Sequence, residues 1–381
     1  MRNVCIFLLM VCSLYACKEG CGNKEVNADL TISFPPSVNI PILEYIDTVK
    51  YLKLEDKDEA LLAYVNKMVC REDKIYLGDF SNHKIVVYDT IGRFQYVIDR
   101  QGRGSGEYLQ IKSFAVDDSC LYVLDTFLPG LHVFDNRTGA YVAKKRMAFI
   151  AWDFETLSRG RMIFTFCFFK DGHLPPSQPS YRLLITDNDL NIIQRLLPFE
   201  EEGDPIGKEV YFTSNDREVV FNWCMNDSFV TLDKANPDSL RRIRIDFGVN
   251  QIPESYRGDY DLIIGGSCNY IYETPVVDGD YIAMEVRKKD LDECYLFHVP
   301  SGQLLANPSE VSSPYMAFPD CCDTQGHFIE AIVNKEFYDE HVESGFPRAD
   351  AEFEKHLEDG MALLIYKTKV SQVKIHKRDL T

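Results

Sequence analysis

Gly102, Gly104 and Gly106 lie close together in RQGRGSGEY (100–108), beside Arg100 and Arg103. Glycine N–H groups next to guanidinium groups are the raw material of a phosphate cradle. The spacing, however, is neither that of a P-loop nor that of a dinucleotide fingerprint, and no helix pattern follows to lend its N-terminus. The favoured reading is a tight crossover in which Glu107 bonds backbone amides. The eight histidines are scattered, with none in HExxH or another close pair. GGSC at 265–268 lacks the G-x-S-x-G of a nucleophile elbow. No catalytic, cofactor-binding or metal-ligating residue is nominated, and no cofactor is expected.

Cys17 does receive a chemical role. Arg2 is followed by the uncharged apolar run VCIFLLMVCSLYA (4–16), too short for a comfortable membrane span but suited to the core of a signal peptide. The run ends Leu14, Tyr15, Ala16, Cys17. This resembles the lipobox of bacterial lipoproteins, with Tyr15 bulkier than usual. The resemblance implies cleavage after Ala16 and lipidation of Cys17. Several alkyl chains on one residue, at about 0.8 kcal/mol per buried CH₂, hold a protein on a membrane without a transmembrane helix. An ordinary cleaved signal peptide is the alternative. Lys18 and Glu19 resemble a short version of the charged signal that takes some Bacteroidetes lipoproteins to the cell surface. The expected address is the cell envelope, at the outer membrane. If Cys5 and Cys12 leave with the signal and Cys17 carries lipid, nine of the 12 cysteines remain. No zinc spacing is found among them, so buried free thiols are expected, and any disulfide pairing stays open.

The formal net charge of −18 repels phosphate backbones, so nucleic acid is excluded as a natural partner. With 45% hydrophobic and 12% aromatic residues there is ample material for a core.

The elements that would position any site are strands. KIYLGDFSNHKIVVYDTIGRFQYVIDR (74–100) contains three of them, broken by FSNH and TIG. CLYVLDTFLPGLHVFDNRTGAYVAKK (120–145) repeats the unit. Asp79 and Asp125 stand 46 residues apart, as do Asp89 and Asp135. A four-stranded unit at that period predicts a β-propeller, because a small sheet with two apolar faces is buried only by radial stacking. Later units are placed at 161–199, 219–248, 269–305 and from 314, giving six blades. Gly92 and Gly139 are turn positions. Residues 352–360 read as a short helix. A ring needs closing, and the simplest closure pairs strand 45–54 with strand 361–370 in one blade. The chain divides into a signal peptide (1–16), a lipidated N-terminus and tether (17–38), and one propeller domain (39–381).

Three segments resemble the NHL-type six-bladed propellers, in particular a group of six-bladed lipoproteins of the Bacteroidetes. They are IYLGDFSNHKIVVYD (75–89), RQGRGSGEY with Ser105 where proline is usual, and EDGMALLIYKTK (358–369), with Gly360 and Met361 in place of Asn-Pro. The resemblance implies an all-β fold and an envelope address, and no particular reaction. The expected function is recognition or scaffolding of a protein, peptide or glycan by the loop faces. Trp152, Phe168, Phe169 and Trp223 are candidates to reach the channel mouth. The alternative is a metal-dependent propeller hydrolase or lyase with its site at the central channel.

Overall fold

KIVVYD owes its unbroken apolar run to a strand buried on both faces. Val86 and Tyr88 pack to one side of their sheet, while Ile85 and Val87 pack to the other. In the computed structural model, which describes residues 29–34, 42–166, 180–199, 207–289, 291–306 and 318–369, this arrangement recurs around a ring of six small sheets. Cys17, the signal segment, the first part of the tether, Phe168 and Phe169 lie outside the described residues.

Blade 1 comprises Lys67–Arg71, Lys74–Asp79, Lys84–Asp89 and Phe94–Asp99, from the axis outward. Blade 2 comprises Ser113–Val116, Cys120–Asp125, Gly130–Asp135 and Tyr141–Arg146. Blade 3 is Asp153–Thr156, Met162–Thr165, Ser180–Thr186 and Ile192–Phe199. Blade 4 is Phe212–Ser214, Glu218–Phe221, Ser228–Asp233 and Arg241–Asp246. Blade 5 is built on Val276–Asp278, Tyr281–Lys288, Leu291–His298 and Gln303–Ala306, with Asn269–Ile271 added beside the far end of Tyr281–Lys288. Blade 6 holds Cys321–Cys322, His327–Ile332 and Ala362–Thr368, and takes its outer strand, Ile46–Lys53, from the other end of the chain. The expected closure is therefore present, in register from Ile46 opposite Thr368 to Lys53 opposite Ala362.

The cores lie between blades. Tyr76, Ile85 and Ile98 of blade 1 meet Phe114, Leu121 and Phe134 of blade 2. Ile163, Leu183 and Ile185 of blade 3 meet Phe212, Val219 and Val230 of blade 4. The same arrangement seals the seam, where Leu77 and Val86 meet Ile329 and Leu363. Gly92 and Gly139 hold φ of +81° and +68°, as their turns require. The repeat aspartates do more than cap their own turns. Asp79 accepts from Asn82 N–H at 2.9 Å and, across to the incoming loop, from Ala63 N–H at 2.8 Å. Asp125 likewise accepts from Phe127 N–H and Leu109 N–H.

Three features depart from the sequence reading. Leu30–Ser33, grouped with the tether, is an edge strand running parallel to Arg241–Asp246. Its reason is local alternation: Ile32 is fully buried in the core between blades 4 and 5, and Phe34 sits edge-on to Tyr295. The expected terminal helix is present as Ala351–His356, capped by Asp350. A second helix, Lys335–Glu343, capped by Asn334, precedes it. Both are inserted within blade 6, where Tyr338, Phe346 and Phe353 cover Tyr51 and the blade 5–6 core. A third short helix, Tyr260–Gly265, stands between blades 4 and 5.

Candidate functional site at the channel mouth

The innermost strand of each blade begins near the axis, and its first residue decides what the channel contains. In blades 1, 2 and 3 that residue is Lys67, Ser113 and Asp153. All three are buried. Lys67 Nζ donates to Asp153 at 3.1 Å and to the Ser113 hydroxyl at 3.2 Å, and Ser113 also donates to Asp153. The second Asp153 oxygen accepts from Tyr211 N–H at 2.7 Å and Phe212 N–H at 3.0 Å. One carboxylate thus links four blades. With the Phe154 N–H also donating, this buried carboxylate has five donors, the Lys67 ammonium among them, so it is satisfied and its role is to hold the ring together.

Two residues along the same strand, Glu155 accepts from Thr156 N–H at 2.7 Å and from the Ser214 hydroxyl at 2.9 Å. Burial alone would push this carboxyl up, but Lys234 and Lys67 outweigh it and hold it below the usual range. Burial lowers Lys234 in turn. Lys234, from the end of the third strand of blade 4, donates to the same Ser214 hydroxyl at 3.3 Å.

Above them opens a cavity of about 410 Å³. Its walls come from residues 65–69 of blade 1, Glu155, residues 207–214 and 272–274 leading into blades 4 and 5, and residues 318–321 of blade 6. The crossovers into the innermost strands build it, as befits loops that carry recognition on a committed scaffold. Val65, Tyr272, Phe318 and Pro319 supply apolar surface, while Glu209, Glu273 and Asp320 supply carboxyl groups. The Lys208 ammonium is held by the Tyr272 carbonyl at 2.8 Å and the Thr274 hydroxyl at 2.7 Å. Burial raises Glu273 despite Lys208. Burial, with Glu330 behind it, pushes Asp320 up to about 7. Such a wall can receive hydrogen bonds from hydroxyl or ammonium groups while apolar faces cover a ring or side chain.

The residues singled out in the sequence fall elsewhere. Glu107 accepts from Gly104 N–H at 2.7 Å, and a Cβ at Gly102 would lie 1.9 Å from its carboxylate. The glycine loop therefore closes on the chain's own acid, as favoured. Trp152 carries Lys112 Nζ over its ring at 4.2 Å, and Trp223 lies between Arg182 and Arg242, at 5.3 and 5.8 Å. Neither is on the cavity wall. His132 is buried in blade 2, where burial and Lys144 push it down to about 4. His298 bonds Ser301, and His341 bonds Glu330. Among the described residues no group of three or more His, Cys, Asp or Glu is placed to hold a metal ion. The axial residues Lys67, Asp153 and Glu155 were not nominated. A signal existed, since Lys67 and Ser113 are separated by the same 46 residues as the repeat aspartates.

Residues 28–360 match a sequence family described as "Domain of unknown function (DUF4934)". Among curated proteins there is no match. The fold is similar to that of a protein described as exported, from Bacteroides fragilis, at 16% identity and a TM-score of 0.73, covering 89% of this chain and 99% of the other. It is also similar to a member of the DUF4221 family from Bacteroides vulgatus, at 12% identity and a TM-score of 0.53, covering 85% and 97%. At these identities the likeness speaks to the fold.

Proposed function

The chain belongs to the DUF4934 family, and from that premise we propose that it is an exported, lipid-anchored recognition protein that binds a glycan or peptide at its channel mouth. The observation that carries this reading is the cavity of about 410 Å³, with apolar walls and carboxyl groups at Glu209, Glu273 and Asp320. A net charge of −18 favours neutral or cation-bearing ligands there over polyanions. The cavity admits a few sugar rings or the side chains of a short peptide. A protein partner would present such a segment to the same face. The description of the Bacteroides fragilis neighbour as exported supports the address, and Cys17 is the proposed anchor. Export also suits the anchored geometry, since a tether would leave the propeller face free to meet material outside the cell.

Glycan and peptide arrays probed with residues 24–381 would identify the ligand class. Leaving a ligand's buried donor unsatisfied costs about 1–3 kcal/mol, so Glu273→Ala or Asp320→Ala should weaken binding about fivefold to a hundredfold. Val142→Ala, on the exposed outer strand of blade 2, should leave it unchanged. The reverse pattern would place the site elsewhere. Separately, a clickable fatty acid should label the full-length protein in cells, and Cys17→Ala should abolish the label.

A further inference from the structure

Cys321 and Cys322 are neighbours in the innermost strand of blade 6, and strand alternation sends them to opposite faces. Cys322 packs into the core between blades 5 and 6, where its thiol donates to the Val277 carbonyl at 3.4 Å. Cys321 packs into the core between blades 6 and 1. There it meets Cys70, on the innermost strand of blade 1, with the two sulfurs 3.4 Å apart. The strands Lys67–Arg71 and Cys321–Cys322 bring Cα atoms within 8 Å of each other. A disulfide requires about 2.05 Å between sulfurs, so the two thiols need to approach by little more than about 1 Å to close the bond.

We propose that Cys70 and Cys321 are a disulfide-forming pair that locks the ring at its seam. The partner in the reaction is a disulfide oxidant, either a small molecule or an oxidised protein dithiol of the exporting compartment. The Cys70 thiolate attacks one sulfur of that oxidant, forming a mixed disulfide and releasing one thiol. The Cys321 thiolate then attacks Cys70 Sγ, forming the Cys70–Cys321 bond and releasing the second thiol. Two protein thiols and one disulfide become one protein disulfide and two thiols.

Three observations support the assignment. Cys321 lies on the wall of the channel-mouth cavity, so the sulfur pair stands beside a solvent-filled space. Cys70 is the more exposed residue of the two and its sulfur accepts the hydrogen bond from Cys321, so it is the first nucleophile. The location also matters. Blade 6 is closed at its outer rim by hydrogen bonds between strands from the two ends of the chain, and a bond between Cys70 and Cys321 would tie the inner rim of the same seam. The two residues are 251 positions apart, so the cross-link would enclose most of the ring and constrain the unfolded chain strongly.

The reaction itself needs only an oxidant, while its occurrence in cells rests on the export proposed above. The full-length protein is incubated with oxidised glutathione, alkylated, and mapped without reduction. The expected result is a single cross-linked species joining the Cys70 and Cys321 peptides, with an intact mass lower by two hydrogens. The oxidised form should melt above the dithiothreitol-treated form. Cys70→Ser and Cys321→Ser should each remove the cross-link and the redox dependence of melting, even though both fold. Free alkylation of both sulfurs after oxidation, separate glutathione adducts that do not resolve, or a bridge to Cys322 would each overturn the proposal. Acid-trapped cells provide the second arm. A cross-link formed in the purified protein but absent in cells would leave the pair's chemistry standing and remove the export reading.

Discussion

Lys67 and Asp153 have side chains 4% and 0% exposed, and they form an ion pair across two blades. Burying two charges is costly, so such a pair adds little over a well-packed apolar pair, but removing one partner strands the other. Lys67→Met should therefore cost about 3–5 kcal/mol, and Lys67→Met with Asp153→Asn should recover much of that loss. Urea unfolding of the two single variants and the double variant measures the coupling. A single Lys67→Met variant as stable as the parent would show that the pair contributes nothing. The sequence could not announce this role. A lysine opening the strand KMVCR reads as a solvated strand end, and only the closed ring places it in the interior. The turn residues were readable because their chemistry is local. Asp89 accepts from Ile91 and Arg93 N–H within its own turn, and Gly92 adopts the positive φ that turn needs.

At the scale of elements, the interface between blades 5 and 6 gathers carboxyl groups whose pKa values burial raises. Glu285, on Tyr281–Lys288, is pushed up to about 8 by burial, then by Asp292 and Glu273, with Arg287 and Lys208 opposing. Asp320 rises to about 7 through burial, Glu330 and Glu273, against the Ala331 N–H. Burial also raises Glu330, with the His341 hydrogen bond and charge opposing. A group whose folded value lies above its unfolded value binds more protons in the native state. Its contribution is complete below the unfolded value, near 4, and is lost as pH rises through the folded values of about 7 and about 8. The melting temperature should therefore decline between pH 5.5 and 8.5. Glu285→Gln, fixed in the neutral form, should flatten that decline and gain a few degrees at the upper end. A profile that rises toward pH 8.5 would contradict the assignment. The stretch that the sequence blurs, residues 150–310, includes the blade 5 side of this interface. Blades 1 and 2 keep a strict period and were legible strand by strand. Tyr260–Gly265 between blades 4 and 5 and Lys335–Glu343 within blade 6 lengthen the chain there and displace the strict period. The N-cap residues Asp259 and Asn334 were the available signals for those helices.

For the whole molecule, the ring depends on where its two ends meet. Ala362–Thr368 hydrogen-bonds His327–Ile332 on one side and Ile46–Lys53 on the other, so it is the strand through which the N-terminal strand joins the sheet of blade 6. Leu363 and Leu364 on it are fully buried and face opposite seams, toward blade 1 and blade 5 respectively. Each buried leucine contributes about 1.5–3 kcal/mol, and Tyr366 and the two uncovered sheet edges add to the loss. Against a typical stability of about 5–15 kcal/mol, deletion of residues 362–381 should leave no cooperative unfolding transition. The contrasting edge is Leu30–Ser33, which pairs with one strand only and buries Ile32. Deleting residues 1–34 should lower the melting temperature and keep a single sharp transition, because blade 4 retains its four strands. Calorimetry on both truncations separates the two cases. If removing 362–381 costs no more than removing 1–34, the ring is held by its blade-to-blade cores alone, and pairing of the chain ends is incidental to stability.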